Sequence, residues 1–214
     1  MKKRLNKKRV IAAVLAVVIA VAVAAGAALS LSRVEVCIDP GHGGYDSGAE
    51  YEGRLEKDDN LELALLVNEE LEARGIKTCM TRDDDRFISL SKRCSIANIR
   101  RAKLFVALHR NSADGAHGVE VWVHSDMPQE DTLLAQNICD SLSTVGISEN
   151  RGVKFGFARE DGENYFVNSR TKMPSCLAEL GFITDDEDNR LFDENIDAYA
   201  EAIADAIEKT LSEI

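Results

Sequence analysis

The sequence has no Cys-x-x-Cys pair, and its five cysteines are an odd number. Thiolate zinc sites are usually built from such pairs, and a disulfide framework needs an even number of cysteines. Both kinds of protein are therefore disfavoured. We expect most of the thiols to be small buried side chains. The cysteines are Cys37, Cys79, Cys94, Cys139 and Cys176.

Acidic residues are absent from the first 33 positions, and basic residues are scarce in the remainder. Seven of the 26 Lys and Arg lie in the N-terminal segment, which leaves 19 against 37 Asp and Glu, a net charge of −18 for residues 34–214. Nucleic-acid binding needs clustered Lys and Arg to contact phosphates, so we expect no nucleic-acid partner. Anionic lipid headgroups would also repel this region, so we expect it to stand off a membrane surface.

The N-terminal segment has the order of residues that directs a chain to a membrane. Six Lys and Arg precede Val10, and the next twenty residues carry no charge. Twenty helical residues span about 30 Å, the hydrocarbon thickness of a bilayer. The sequence predicts a cytoplasmic basic segment at 1–9, a retained transmembrane anchor at 10–31 and an extracytoplasmic domain at 34–214 on the cell membrane. Small residues late in the apolar run leave one alternative, a cleaved signal peptide and secretion to the cell wall.

Short apolar runs alternate with amphipathic stretches after the leader, without an internal repeat. This alternation is typical of α/β proteins with a largely parallel sheet. We predict one three-layer α/β domain in which helices flank a twisted sheet of about six strands, preceded by one transmembrane helix. The predicted strands are Val34–Ile38, Ile76–Met80, Leu104–Leu108, Val119–His124 and Ser175–Leu180, with weaker ones near Val153–Phe157 and Tyr165–Val167. The predicted helices are Asp58–Arg74, Ser89–Arg101, Gln129–Ser143, a short helix capped by Thr184 that ends at Leu191, and Asn195–Ser212.

Three polar side chains lie in or directly after predicted strands. His42 follows the first strand in a turn with one proline and three glycines, His109 ends an apolar strand, and Glu179 lies within another. Ligands gather beyond the carboxyl ends of parallel strands. Two histidines and one acid are typical of a catalytic zinc site, which keeps one position for water. From residue types alone, the third ligand stays open among three acids near His42, namely Glu50, Glu52 and Glu56.

Six motifs along residues 34–214 resemble the zinc-dependent N-acetylmuramoyl-L-alanine amidases, the family called amidase type 3. They occur in the family's order and cover the whole region. The motifs are His42-Gly43-Gly44-x-Asp46-x-Gly48-Ala49, Glu56-Lys57-x-x-Asn60-Leu61, Thr81-Arg82, Leu90-x-x-Arg93-x-x-x-Ala97-Asn98, His109-x-Asn111 and Glu179-Leu180-Gly181-Phe182.

The resemblance implies specific roles and a substrate. It implies Zn²⁺ bound by His42, Glu56 and His109, with Glu179 as the catalytic acid–base. The implied substrate is peptidoglycan, cut at the amide between N-acetylmuramic acid and L-alanine. A zinc peptidase acting within the stem peptide, and a non-catalytic membrane-tethered wall-binding module, are the alternatives. The sequence does not identify protein activators.

One residue between the motif positions departs from the family pattern. Arg110 stands between His109 and Asn111, where the family usually has a small residue. We expect its cation to narrow the cleft or to hold an anionic stem peptide. On a predicted helix, Arg93 and Asn98 are expected to fix the loops around the metal.

Overall fold

The computed structural model describes residues 7–30, 33–157 and 163–214. The chain divides into two compact units, 1–33 and 34–214. In the first unit, helix α1 spans Lys7–Ser30 and its apolar side chains between residues 11 and 21 are exposed. Among the described residues, no helix combines the length and apolarity needed to cross a membrane. The span predicted at 10–31 is therefore not supported, and positions 1–6 and 31 of the predicted leader lie outside the described residues.

Within the described residues of the second unit, six strands form one sheet. They are β1 (Val36–Pro40), β4 (Thr78–Met80), β5 (Leu104–Asn111), β6 (Val119–Val123), β7 (Asn150–Phe155) and β8 (Ser175–Phe182). The order across the sheet is β4-β1-β5-β8-β6-β7, and the β6–β8 pair alone among these neighbours is antiparallel. A small antiparallel hairpin, β2 (Glu50–Tyr51) and β3 (Arg54–Leu55), follows β1. The predicted, mostly parallel sheet is confirmed.

Helices cover both faces of the sheet, which explains why β1 and β8 are buried along their whole length. The helices are α2 (Glu56–Ala73), α3 (Leu90–Arg100), α4 (Gln129–Leu142), α5 (Phe166–Arg170) and α6 (Asp186–Glu213). One hydrophobic cluster joins the sheet to α2, α4 and α6, and a second joins it to α3 and α5. The three-layer α/β architecture predicted from the sequence is therefore confirmed.

Two local predictions near the end of the chain were wrong. The weak strand predicted at Tyr165–Val167 is the start of helix α5, because packing of Val167 into the second cluster overrides the strand preference of aromatic and branched residues. The last helix is capped by Asp185, whose side chain accepts from the N–H of Asp188 at 2.9 Å. Thr184 instead donates its hydroxyl to the Ala113 carbonyl.

The two helices predicted at the C-terminus are both present and are joined within α6. They meet at a kink at Asn195, where the backbone leaves helical geometry (φ −123°, ψ 15°). Asp186, Glu187 and Asp188 occupy the first turn of α6, as the helix dipole favours.

The prediction that Arg110 lines the cleft was wrong. Successive side chains of a strand point to opposite faces, so Arg110 projects away from the face that carries His109. Its guanidinium is fully buried, donates to Asp59 Oδ2 at 2.6 Å and lies 4.3 Å from the centre of the Phe192 ring. Asp59 also accepts from Arg54 Nε at 2.7 Å. Arg110 therefore ties β5 to the first turn of α2 and to α6.

Candidate metal centre

The turn after β1 presents His42 in a left-handed backbone conformation, with φ of 58°. Gly43 and Asp46 exchange two backbone hydrogen bonds of 2.8 and 3.2 Å, which close a tight turn. His42 Nδ1 lies 2.9 Å from Asp46 Oδ1, and His42 Nε2 lies 3.3 Å from Glu56 Oε1. Asp46 therefore orients the imidazole as an outer-shell partner does, and leaves Nε2 to face the other ligand candidates.

Two buried arginines donate hydrogen bonds to backbone carbonyls of this turn. Arg82 Nη2 donates to the Gly41 carbonyl at 2.7 Å, and Arg93 Nη2 donates to the His42 carbonyl at 2.5 Å. Arg93 Nη1 also pairs with Asp39 at 2.7 Å. The prediction that Arg93 fixes a loop at the centre is confirmed.

Asn98 has a different role from the predicted one. Its side chain donates to the Arg170 carbonyl and accepts from the Lys172 N–H, both at 3.0 Å. These contacts fix the segment between α5 and β8. The prediction that Asn98 fixes a metal-site loop was wrong, because its side-chain hydrogen bonds go to the segment between α5 and β8 instead.

Of the three acids that the sequence left open, Glu56 lies beside both histidines. It is buried as the first residue of α2, whereas Glu50 and Glu52 are exposed in the hairpin. Its carboxylate accepts from the Ala49 N–H at 2.9 Å and from the Arg110 N–H at 3.2 Å. A carboxylate at a helix N-terminus is also favoured by the helix dipole.

His109 completes a group of three side chains at the carboxyl ends of β1 and β5. Its Nδ1 lies 2.8 Å from Glu56 Oε1. One ligand atom each from His42, Glu56 and His109 lie within 4.8 Å of one another. Tetrahedral ligands about 2.0–2.1 Å from a zinc ion are about 3.3–3.5 Å apart. The donor set of two imidazoles and one carboxylate, and its spacing, therefore fit a zinc ion.

Charge in this group is organised around Glu56. Burial alone would raise the pKa of Glu56, but the hydrogen bonds with His109 and His42 outweigh it and hold that pKa well below its usual range. Burial alone would lower the pKa of His42, but Glu56 and Asp46 outweigh it and raise that pKa. The carboxylate is therefore ionised and suited to a cation, which competes with a proton for His42.

Glycines allow the backbone to approach these side chains closely. A Cβ on Gly41 would lie 2.2 Å from Cε1 of His109, and a Cβ on Gly48 would lie 2.5 Å from Oε2 of Glu56. Both distances are far below van der Waals contact. Glycine at these two positions therefore leaves room for the ligand candidates, because no side chain fits between the backbone and them.

Glu179 lies on the strand next to His109. The two residues are register partners in the parallel β5–β8 pair, so their side chains project from the same face. On the other side, Glu120 of β6 is the antiparallel partner of Glu179. Glu120 was not predicted as a site residue, although a single acid within the apolar run of β6 is the same signal that Glu179 gives in β8.

Comparisons with known proteins agree with this arrangement. The sequence profile described as Amidase_3, N-acetylmuramoyl-L-alanine amidase, matches residues 36–209. The amidase LytC of Bacillus subtilis is 35% identical over 175 residues, which cover 79% of this chain and 34% of LytC. The uncharacterized protein YqiI of the same species is 38% identical over 186 residues, which cover 86% of this chain and 85% of YqiI.

A solved structure shares the fold at similar identity. The N-acetylmuramoyl-L-alanine amidase AmiC2 of Nostoc punctiforme superposes with a TM-score of 0.74 at 38% identity, over 84% of this chain and 97% of that one. The profile match spans nearly the whole second unit, and the motifs that carry the histidines and acids described above lie within it. The chain therefore belongs to the N-acetylmuramoyl-L-alanine amidase family.

Proposed function

We propose that residues 34–214 form a zinc-dependent catalytic domain that hydrolyses the amide between N-acetylmuramic acid and L-alanine in peptidoglycan. The observation that carries this proposal is the convergence of His42, Glu56 and His109 within 4.8 Å, beside Glu179, in a chain of the amidase family. His42 through Nε2, Glu56 through its carboxylate and His109 through Nδ1 would hold the ion. Bound zinc supplies Lewis acidity, which lowers the pKa of a water molecule and polarises the scissile carbonyl.

Glu179 is the proposed acid–base of the reaction. Its carboxylate accepts a proton as the water oxygen bonds to the lactyl carbonyl carbon. The same proton then passes to the amide nitrogen as the carbon–nitrogen bond breaks. The products are a lactyl carboxylate on the glycan and a free amino group on the stem peptide.

The neighbouring acid Glu120 is engaged in holding the site together. Its Oε1 accepts from Asn111 Nδ2 at 2.9 Å and from Trp122 Nε1 at 3.0 Å, and its Oε2 accepts from Arg151 Nε at 2.8 Å. Three such donors, one of them a cation, engage both oxygens of this carboxylate and fix its position. These contacts support a structural role for Glu120, and Glu179, in the Glu-Leu-Gly-Phe motif, remains the candidate for proton transfer.

A zinc peptidase would use the same groups on a bond within the stem peptide. Digestion of purified cell-wall sacculi by the full chain, with and without a chelator, separates the two by mass spectrometry. We expect free lactyl ends and intact stem peptides that begin with L-alanine, and no release after chelation. Shortened stem peptides that remain attached to glycan would establish the peptidase instead. Binding to sacculi without release of any fragment would identify a wall-binding module.

Variants separate the proposed ligands from the proposed acid–base. Glu179→Ala should retain zinc and lose activity by about 10²–10⁴-fold, because proton transfer is lost. His42→Ala should lose both zinc and activity, because two protein ligands remain. Zinc content by atomic emission and the rate of stem-peptide release measure the two effects. Glu50→Ala, an exposed acid of the hairpin, is the control. An active Glu179→Ala enzyme would remove the proposed acid–base.

Gly41 tests the centre without changing a ligand. In Gly41→Ala the new methyl group would collide with the His109 ring, so we expect zinc affinity to fall by about 10–100-fold, the loss typical when a ligand's support is disturbed. Gly53→Ala is the matched control, because its Cβ would meet no atom within 4 Å, although its φ of 87° is strained for alanine. Equal zinc affinity in Gly41→Ala and wild type would contradict the described geometry.

We further propose that the leader carries the domain to the outer face of the cytoplasmic membrane. This proposal rests on the order of residues, six basic side chains followed by twenty without charge. Protease added to intact cells should degrade residues 34–214, because they lie outside the cytoplasmic membrane, and N-terminal sequencing should show whether the leader is kept or cleaved near Ala28. Protection of residues 34–214 from external protease would contradict export.

A further inference from the structure

We propose that Tyr45 and Phe87 form a stacking platform for an N-acetylhexosamine ring of the glycan strand, beside the metal centre. This inference rests on the proposed function, because it assigns the sugar side of the same substrate. The ring of Tyr45 stacks on that of Phe87, with centroids 4.3 Å apart and planes inclined by 26°. Tyr45 is nevertheless 83% exposed, so the ring face away from Phe87 is open to a ligand.

Hydrogen bonds and an ion pair hold the backbone around the platform in place. Tyr45 lies in the tight turn closed by the backbone hydrogen bonds between Gly43 and Asp46. The N–H of Gly44 donates to Asp85 at 2.7 Å, and Lys57 pairs with the same carboxylate at 2.5 Å. These bonds fasten the turn to the segment that leads to Phe87. A ring held in this way loses little conformational entropy when a ligand binds, which favours recognition.

Hydrogen bonds also link the residues next to the platform to the candidate metal centre. Asp46, which follows Tyr45, is the residue that orients His42. Arg93 donates both to the His42 carbonyl and, through Nε at 2.9 Å, to the Ile88 carbonyl next to Phe87. A sugar on the platform would therefore lie in a fixed relation to the proposed ligands, as cleavage of a bond attached to that sugar requires.

The surroundings favour a neutral sugar over the stem peptide. Asp83, Asp84 and Asp85 lie on the segment before Phe87 and pair with Arg86 and Lys57, which leaves one net negative charge among these five side chains. The whole region 34–214 also carries a net charge of −18. The free carboxylates of a stem peptide would be repelled there, because like charges near a protein surface interact unfavourably. An N-acetylhexosamine ring has no charge, and the C–H groups on one of its faces suit an aromatic surface. The platform thus assigns the glycan to this side of the centre.

Binding of a neutral glycan tests the platform without catalysis. The probe is the β-1,4-linked tetramer of N-acetylglucosamine, titrated into the full chain and followed by NMR. We expect Tyr45→Ala to weaken binding by about five- to tenfold, the factor that corresponds to one aromatic contact. Tyr45→Phe should bind like wild type, because it keeps the ring. The exposed Phe155→Ala, on the edge strand β7, should also bind like wild type and controls for general loss of exposed aromatic surface.

Kinetics gives a second readout that a folding defect would not produce. With muramoyl-peptide glycan as substrate, Tyr45→Ala should raise KM by a similar factor and leave kcat and zinc content near wild type. With an N-lactoyl-peptide that lacks the sugar, Tyr45→Ala and wild type should be equal.

Other results would overturn the platform. The first is that Tyr45→Ala and wild type bind the tetramer equally well. The second is that Tyr45→Ala loses as much activity on the sugar-free substrate as on the glycan substrate. The third is that Tyr45→Ala loses binding to free stem peptide, or loses self-association, instead of binding to the tetramer. The two proposals fail separately. Tyr45-dependent binding without any cleavage would refute the amidase activity alone, and cleavage with Tyr45-independent tetramer binding would refute the platform alone.

Discussion

The hydrogen bonds from two buried guanidinium groups to the backbone after β1 are the constraint on which the candidate centre depends. Arg82 and Arg93 both donate to the carbonyl of Pro40, and between them they also hold those of Gly41 and His42. A buried cation is costly unless its donors are satisfied. The carbonyls of this segment accept the hydrogen bonds that the two guanidinium groups need. The guanidinium groups thereby stabilise a loop that contains residues in the left-handed conformation. Loss of either guanidinium would leave buried carbonyls without a donor, a change that costs about 1–3 kcal/mol for each buried group.

The same turn determines what the other elements can contribute. With His42 fixed, Glu56, the first residue of α2, lies in contact with the His42 ring. The parallel pairing of β1 with β5 brings His109 to the same edge of the sheet, where it contacts Glu56. Glu179 follows from the pairing of β5 with β8. The side chains proposed to bind metal and transfer a proton therefore come from β5, β8, the start of α2 and the turn after β1. Packing of these elements in the hydrophobic core fixes their relation.

Much of this arrangement could be predicted from the sequence, because it depends on strong local signals. Apolar runs predicted five strands of the sheet and, more weakly, the sixth, and the motifs singled out His42, Glu56, His109 and Glu179. The choice of Glu56 over Glu50 and Glu52 required the family resemblance. Residue type and spacing do not reveal which of three nearby acids begins a helix and which two lie in an exposed hairpin.

Other features depend on tertiary contacts that the sequence does not encode locally. Arg110 was expected in the cleft because it follows a histidine. The alternation of side chains along a strand places it on the other face instead, where it contacts Asp59 of α2 and Phe192 of α6. The contact of Asp46 with His42 likewise needs the fold of the turn, and the stacking of Tyr45 on Phe87 needs that turn to pack against a segment some forty residues away.

The central claim is that His42, Glu56 and His109 share one metal ion. A crystal structure of the zinc-loaded protein, with anomalous scattering measured at the zinc edge, tests it most directly. The account predicts one strong peak about 2.0–2.2 Å from His42 Nε2, a Glu56 carboxylate oxygen and His109 Nδ1, with Glu179 outside the ligand set. A peak elsewhere, or Glu179 as a ligand in place of Glu56, would contradict it.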